Sequence, residues 1–299
     1  MTRQQPWSGV FPYLPTPLEA DGTVRRATLA DIVERCLTAG VHGLTPLGSS
    51  GELPYLTGDQ RLAVIEGTVA AAAGRVPVVP GVSGFDTASV VRDARAAVAA
   101  GSDGILLVIL AYFPLRPAEI LGMIDAVTAA VEVPVVLYHH PHLTHVEFSA
   151  DVIAAAHRDH GVNHVKDASG RITNVARWLD ATSGGIRYFS ATAVPPTAAM
   201  LSGACGWMSG PAAAFPAESV EIYDLAVRGE WAAAQAREHR LDSALNVFRS
   251  LGPGRGAKGL FAALGIDVGQ PVPPLAPLDS AEVALIRDDL TRLTERGAA

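Results

Sequence analysis

Short apolar runs rich in β-branched residues alternate with longer Ala-rich stretches along most of the chain. The runs are GVFPYL, GLTPLG, VPVVPG, GILLVI, VPVVLY, VNHVKD, IRYFSA and CGWMSG. Most show no in/out polar alternation, which is the pattern of parallel strands covered by helices on both faces. Between and after them lie helical stretches at Thr28–Ala39, Asp59–Ala73, Thr87–Ala100, Pro117–Val131, Ala150–His160, Thr173–Ala181, Pro195–Leu201 and Glu218–Arg228. Thr57 and Gln60 have the spacing of a capping box, Pro117 suits a first helical turn, and Gly40, Gly74 and Gly101 fall where helices should stop. Eight strand–helix units predict a (β/α)8, or TIM, barrel. A doubly wound sheet is the competing layout. It would carry a Gly-rich phosphate turn after its first strand, and PYLPTPLEADG is not one. Further helices are expected over Trp231–Leu251, Ala257–Leu264 and Ser280–Arg296, the last two separated by the Pro-rich GQPVPPLAPLD. Residues 1–228 are therefore read as the barrel and 229–299 as a C-terminal helical extension packed on it.

Composition excludes several function classes. At 49% hydrophobic and 18% charged residues, the 299-residue chain can bury a large core and is not globally disordered. A net charge of −7 leaves no basic footprint for nucleic acid. Cys36 and Cys205 form neither a disulfide framework nor a zinc spacing, which fits a reducing compartment. The opening MTRQQPWSGVFPYLPTP lacks the apolar segment of a signal peptide, and no run reaches the roughly 18 apolar residues of a membrane span. A soluble cytoplasmic protein is expected.

Lysine is scarce. Lys and Arg together number 23, and only Lys166 and Lys258 are lysine. Arginine cannot deprotonate in a protein, whereas lysine can, so Lys166 at the end of the sixth run suggests a need for an amine. Reactive groups of such barrels stand at the C-terminal ends of strands. Flanking Val162 and Val165 would desolvate Lys166 and lower its pKa, making a nucleophile for carbonyl carbon. The plainer reading pairs Lys166 with Asp167, although alternation along a strand sends adjacent side chains to opposite faces. Lys258, in GRGAKGLFAAL, reads as a solvated charge at a helix start. Tyr138 ends the fifth run, one strand from Lys166, where a phenol could move protons; a core tyrosine is the plainer reading. In GSSGE, Gly48, Ser49, Ser50 and Gly51 could cradle a carboxylate with backbone N–H and hydroxyl donors, or could simply be a turn before a capped helix. Amine, phenol and anion cradle together describe a site for a 2-oxo acid.

The same fragments resemble a known family. GSSGELPYLT is similar to the Gly-Thr/Ser-Thr/Ser-Gly-Glu motif of the dihydrodipicolinate synthase/N-acetylneuraminate lyase family of Schiff-base aldolases, VPVVLYHHP to its strand ending in Tyr-Asn-x-Pro, and VKDASG to its Lys-Glu/Asp-x-Ser-Gly. GACGWMSGPAAAFP resembles its eighth-strand segment, and AKGLFAALGIDVGQPVPPLAPL its C-terminal helix and tail. The resemblance implies a barrel with a helical extension, a tetramer or dimer, and no metal or organic cofactor. It implies an imine between Lys166 and pyruvate or another 2-oxo acid, with Tyr138 as proton shuttle and Ser49 and Ser50 binding the carboxylate. Ser190 near the end of the seventh run and Gly210 at the end of the eighth are further substrate-binding candidates.

The departures bear on substrate. Where the synthase has an arginine after the tyrosine, this chain has His142-Leu143-Thr144-His145, and Leu143 cannot pair with a carboxylate. Ala111-Tyr112-Phe113 places no hydroxyl where the synthase has its second tyrosine, and Ser190-Ala191-Thr192-Ala193 replaces the common Ser-Gly-Asp-Asp. Four histidines, His139, His140, His142 and His145, crowd one loop. Imidazoles are common zinc ligands, but no acidic ligand follows before Glu147. His140 and His142 are instead expected to line the distal pocket; surface positions are the plainer reading. The expected function is a lyase acting on a 2-oxo acid. A lysine-pathway synthase with an altered acid-binding loop and a non-catalytic 2-oxo acid binder are the alternatives.

Overall fold

The computed structural model describes residues 7–191, 194–243 and 245–295. Its seven strands are β1 (Gly9–Pro12), β2 (Gly81–Gly84), β3 (Ile105–Ile109), β4 (Val135–His139), β5 (His164–Asp167), β6 (Arg187–Ser190) and β7 (Gly206–Ser209). All pair parallel, in the order β1-β7-β6-β5-β4-β3-β2. Strand β3, Ile-Leu-Leu-Val-Ile, is buried along its whole length, as its unbroken apolar run requires. The two edges of the sheet meet through the segment around Leu44. Single parallel bridges join Tyr13 to Thr45 and Leu44 to Val78, so the curled sheet closes on itself. This arrangement is consistent with a (β/α)8 barrel.

The second of the eight expected strands is thus reduced to bridges, and the third forms at Gly81–Gly84 rather than over VPVVPG. Proline explains both. Pro46, Pro77 and Pro80 have no N–H to give, so they serve the ladder only as acceptors, from Gly81, Leu44 and Leu106. Leu47, at φ 59°, then turns the chain out of the sheet.

The helices follow the sequence expectation closely where local signals are strong. Thr57 and Gln60 form the reciprocal capping box of the helix Gly58–Ala72, and Pro117 opens Pro117–Thr128. The expected single helix Trp231–Leu251 is instead two, Trp231–Ser243 and Asn246–Leu251. The helix expected from Ala257 starts four residues earlier, as Pro253–Ala263. Among the described residues no helix is long and apolar enough to cross a membrane.

Helix Pro253–Ala263 overturns the solvated reading of Lys258. That side chain is fully buried, its ammonium 2.9 Å from Glu52 Oε2 and donating to the Gln270 carbonyl at 2.6 Å. The helix begins early enough to lay Lys258 against the loop that carries Glu52, a partner that sequence proximity could not reveal.

Beneath the strand ends the interior is aromatic. Phe11 and Phe189 meet edge to face at 5.3 Å, and Trp7 lies 5.0 Å from the His164 ring. His164 is buried with neither ring nitrogen bonded, and burial pushes its pKa down to about 4. An unfolded histidine titrates near 6.5. Between those values the unfolded chain binds the extra proton, so stability falls as pH drops from about 6.5 to about 4. The contribution is about 3 kcal/mol. Urea unfolding of wild type and His164→Leu at pH 7 and pH 4.5 should show a smaller acid loss in the variant. Equal losses would mean that His164 does not carry this titration.

Candidate active site

Strand register sets the centre of the site. Tyr138 on β4 stands opposite Lys166 on β5, and His139 opposite Asp167. Alternation sends the first pair inward and the second pair outward. The Lys166 amine lies 4.1 Å from the Tyr138 ring centroid and 5.0 Å from that of Tyr13. Lys166 is 3% exposed. Burial pushes its pKa down to about 7, opposed only in part by the charge of Asp167. The free amine is therefore accessible at neutral pH.

Asp167 is occupied elsewhere, so the plain Lys166–Asp167 pairing does not form. Its carboxylate accepts from His139 Nδ1 (2.9 Å), the Ser169 amide (2.7 Å), Asn174 Nδ2 (2.9 Å) and the Tyr188 hydroxyl (2.8 Å). Burial works against the charged form, but these bonds hold the carboxyl well below the usual range. The charge is thereby fixed behind the strand that presents the amine.

Tyr138 is buried, and its hydroxyl shares a 2.8 Å hydrogen bond with Ser49 Oγ. Burial raises its pKa, the Ser49 bond opposing, so the phenol stays protonated at neutral pH. Ser49 sits in the turn Ser49–Gly51, which follows the positive φ of Leu47. In that turn the Gly51 amide donates to the Gly48 carbonyl and the Glu52 amide to that of Ser49. Among the described residues the Ser49 and Ser50 amides have no backbone partner, as expected for the opening of a helical turn.

A cavity of about 300 Å³ opens over these groups, lined by Tyr13, Ser49, Ser50, Tyr138, His140, Lys166 and Gly210, with Arg249 at its wall. No carboxylate lines it among the described residues. Gly210 leaves room for Ser50: a Cβ there would lie 2.1 Å from Ser50 Oγ. Burial pushes His140 down to about 4, so its imidazole is neutral in this positive surrounding.

The structure does not bring the remaining candidates to this cavity. Gly48 is packed on the Tyr13 ring, where a Cβ would come within 2.2 Å. The Gly51 carbonyl accepts from Thr16 Oγ1 at 2.7 Å, facing away. His142 is exposed on the short helix Pro141–Thr144, and His145 is exposed after it. His139 is buried against Asp167, Phe148 and Trp178, where it supports β5. Ser190 is 1% exposed and shares the outward face of Tyr188. Thr192 and Ala193 lie outside the described residues. Among the described residues no group of three or more His, Cys, Asp or Glu side chains could hold a metal ion.

Tyr13 and Arg249 are among the cavity residues that escaped the sequence reading. Tyr13 directly follows β1, much as Tyr138 is the penultimate residue of β4, so the same strand-end argument could have found it. Arg249 pairs with Asp242 and comes from a helix remote in sequence. Nothing local in its sequence marks it.

The arrangement places a free amine, a protonated phenol and two unpaired amides around one small cavity. Such groups can add to a carbonyl, deliver and recover a proton, and hold a carboxylate. Comparison with known proteins agrees in kind. The model of the dihydrodipicolinate synthetase family matches residues 6–293. A 4-hydroxy-tetrahydrodipicolinate synthase of Sorangium cellulosum is 33% identical over 99% of both chains. An uncharacterized DapA-like lyase of Halobacterium salinarum is 32% identical over 95% of this chain and 93% of its own. The crystal structure of dihydrodipicolinate synthase from Agrobacterium tumefaciens superposes with a TM-score of 0.88 at 25% identity, covering 96% of this chain and 98% of that one.

Proposed function

The chain belongs to the dihydrodipicolinate synthetase family, and from that premise we propose that it is a Schiff-base lyase acting on pyruvate or a related 2-oxo acid. The observation that carries this reading is the inward pairing of Lys166 and Tyr138 in one strand register, with the amine held near pKa 7. The free amine of Lys166 adds to the C2 carbonyl of the substrate. The carbonyl oxygen takes one proton from the adding nitrogen and a second from solvent, both relayed by Tyr138, and leaves as water, giving the protonated imine. In cleavage, the C3–C4 bond breaks, its electron pair moves into the imine to form an enamine, and Tyr138 accepts the C4 hydroxyl proton while its own phenolic proton passes on through Ser49 to solvent. Protonation at C3 and addition of water then release pyruvate and return the amine. Addition of pyruvate to an aldehyde is the reverse course. Dehydration of a 2-oxo-3-deoxy acid could begin from the same imine. Ser49 and Ser50 hold the carboxylate by their free amides and hydroxyls, and Ser49 also fixes the Tyr138 hydroxyl.

The lysine-pathway reading is less well supported, because Leu143 stands where that synthase carries its acid-binding arginine, and it is 48% exposed. In the same proposal the barrel and its helical extension assemble as an oligomer. The exposed Tyr112–Phe113 pair, 5.0 Å apart, offers an apolar surface for this, and light scattering tests it.

Borohydride reduction in the presence of pyruvate should add the mass of a reduced pyruvate adduct to Lys166. A screen of 4-hydroxy-2-oxo acids should release pyruvate. Adduct without turnover would leave a 2-oxo acid binder, and no adduct would end the proposal.

A further inference from the structure

A second cavity, of about 270 Å³, adjoins the first and shares Ser49, Tyr138, Gly252 and Pro253 with it. Lys166 lines the first but not the second. The bonded pair of Ser49 and Tyr138 hydroxyls therefore stands at the seam between two chambers. The imine reading fixes what each chamber holds. The 2-oxo acid head must lie with Lys166, and the aldehyde oxygen must meet the Tyr138 hydroxyl at the seam. The rest of the aldehyde then extends into the second chamber.

The walls of that chamber are apolar: Val108, Leu110, Leu143, Leu251 and Leu275, with Tyr55 at the side. Its charged groups are already engaged. Arg255 binds both oxygens of Glu282 at 2.7 Å, and Glu52 is paired with Lys258. The Thr144 hydroxyl donates to the His140 carbonyl at 3.0 Å. A hydroxylated or carboxylated tail would lose water there and find few partners, whereas a hydrocarbon tail would only gain burial.

We propose that the second chamber selects aldehydes with an apolar body, aryl or branched alkyl, as the partner of the 2-oxo acid; this rests on the Schiff-base reading above. In the addition direction, C3 of the enamine forms its bond to the aldehyde carbon, and the aldehyde oxygen takes the Tyr138 proton. Water then hydrolyses the imine, giving a 4-hydroxy-2-oxo acid with an apolar substituent at C4 and restoring Lys166. The C3 proton lost in forming the enamine balances the one gained by oxygen.

The test combines trapping with competition. Wild type and Leu143→Arg are first reduced with borohydride in pyruvate, which reads the head chamber alone. Each is then assayed with pyruvate and benzaldehyde, glyceraldehyde or succinic semialdehyde. The expected result is an adduct in both proteins and a wild-type kcat/KM for benzaldehyde roughly 10- to 100-fold above the other two. Leu143→Arg should lower the benzaldehyde value at least about tenfold and raise that of the semialdehyde. Leu143 is half exposed, so the variant should fold. An adduct with preference for glyceraldehyde or the semialdehyde overturns the inference alone, as does an adduct with no product from any aldehyde. Absence of the wild-type adduct overturns the Schiff-base reading and the inference with it.

Discussion

Lys166→Arg should eliminate the borohydride-trapped pyruvate adduct and lower turnover by a factor on the order of 10⁴ or more. The substitution keeps a long cationic side chain at the same place and removes only the ability to present a free amine. That separates chemistry from charge. If Lys166 served merely to attract an anion, arginine would keep most of the binding, and activity would fall little. The pH dependence supplies a second readout. With a pKa near 7, the amine is increasingly protonated below that value, and the ammonium is not a nucleophile. The rate of imine formation should therefore fall about tenfold per unit below pH 7 and level off above it. A profile flat from pH 5 to 9 would contradict a desolvated amine. Tyr138→Phe should retain the adduct, formed slowly, and lose roughly 10²- to 10⁴-fold in turnover, because it removes the proton relay and leaves the nucleophile.

The second large effect is on stability, and it concerns the other lysine. Lys258→Met should destabilise the fold by about 3–5 kcal/mol, since it strands the Glu52 carboxylate in a buried site. For a chain of this size the melting temperature should drop by on the order of 10 °C. Among the described residues Glu52 would keep its bond from the Val272 amide at 2.8 Å. Glu52 also holds a left-handed conformation, φ 58°, directly after Ser49–Gly51. Loosening it should therefore raise KM for the 2-oxo acid as well. Combining Lys258→Met with Glu52→Gln removes both charges, and much of the lost stability should return. Thermal melts of the three proteins decide the matter. A single variant within about 0.5 kcal/mol of wild type would show that the pair contributes nothing.

The two lysines show how far the sequence could be read. Lys166 was legible because it ends an apolar run, in a chain that otherwise uses arginine, and because strand alternation separates it from Asp167. Tyr138 was legible by the same position on the neighbouring strand. Lys258 was misjudged because its surroundings are Gly-rich and look exposed, while its partner comes from the second strand–helix loop. The histidine cluster divided in a way spacing could not show. His139 lies behind β5 on Asp167, His140 lines the cavity, and His142 and His145 face solvent. Tyr13 could have been found by the strand-end rule, and Arg249 could not.

The sequence by itself determined the parallel strand–helix alternation, most helix ends, and which strand ends carry an amine, a phenol and a hydroxyl-rich turn. These follow from patterns a few residues long: unbroken apolar runs, capping residues and the two-residue period of a strand. Only the tertiary structure decided that β1 and β2 close through the bridges at Leu44 and Thr45, that Lys258 is buried on Glu52, and that Tyr138 stands between the chamber of Lys166 and an apolar one. Those outcomes depend on which distant segments share space once the ring closes. Burial and charge partners belong to that shared space and are set by no single stretch of chain.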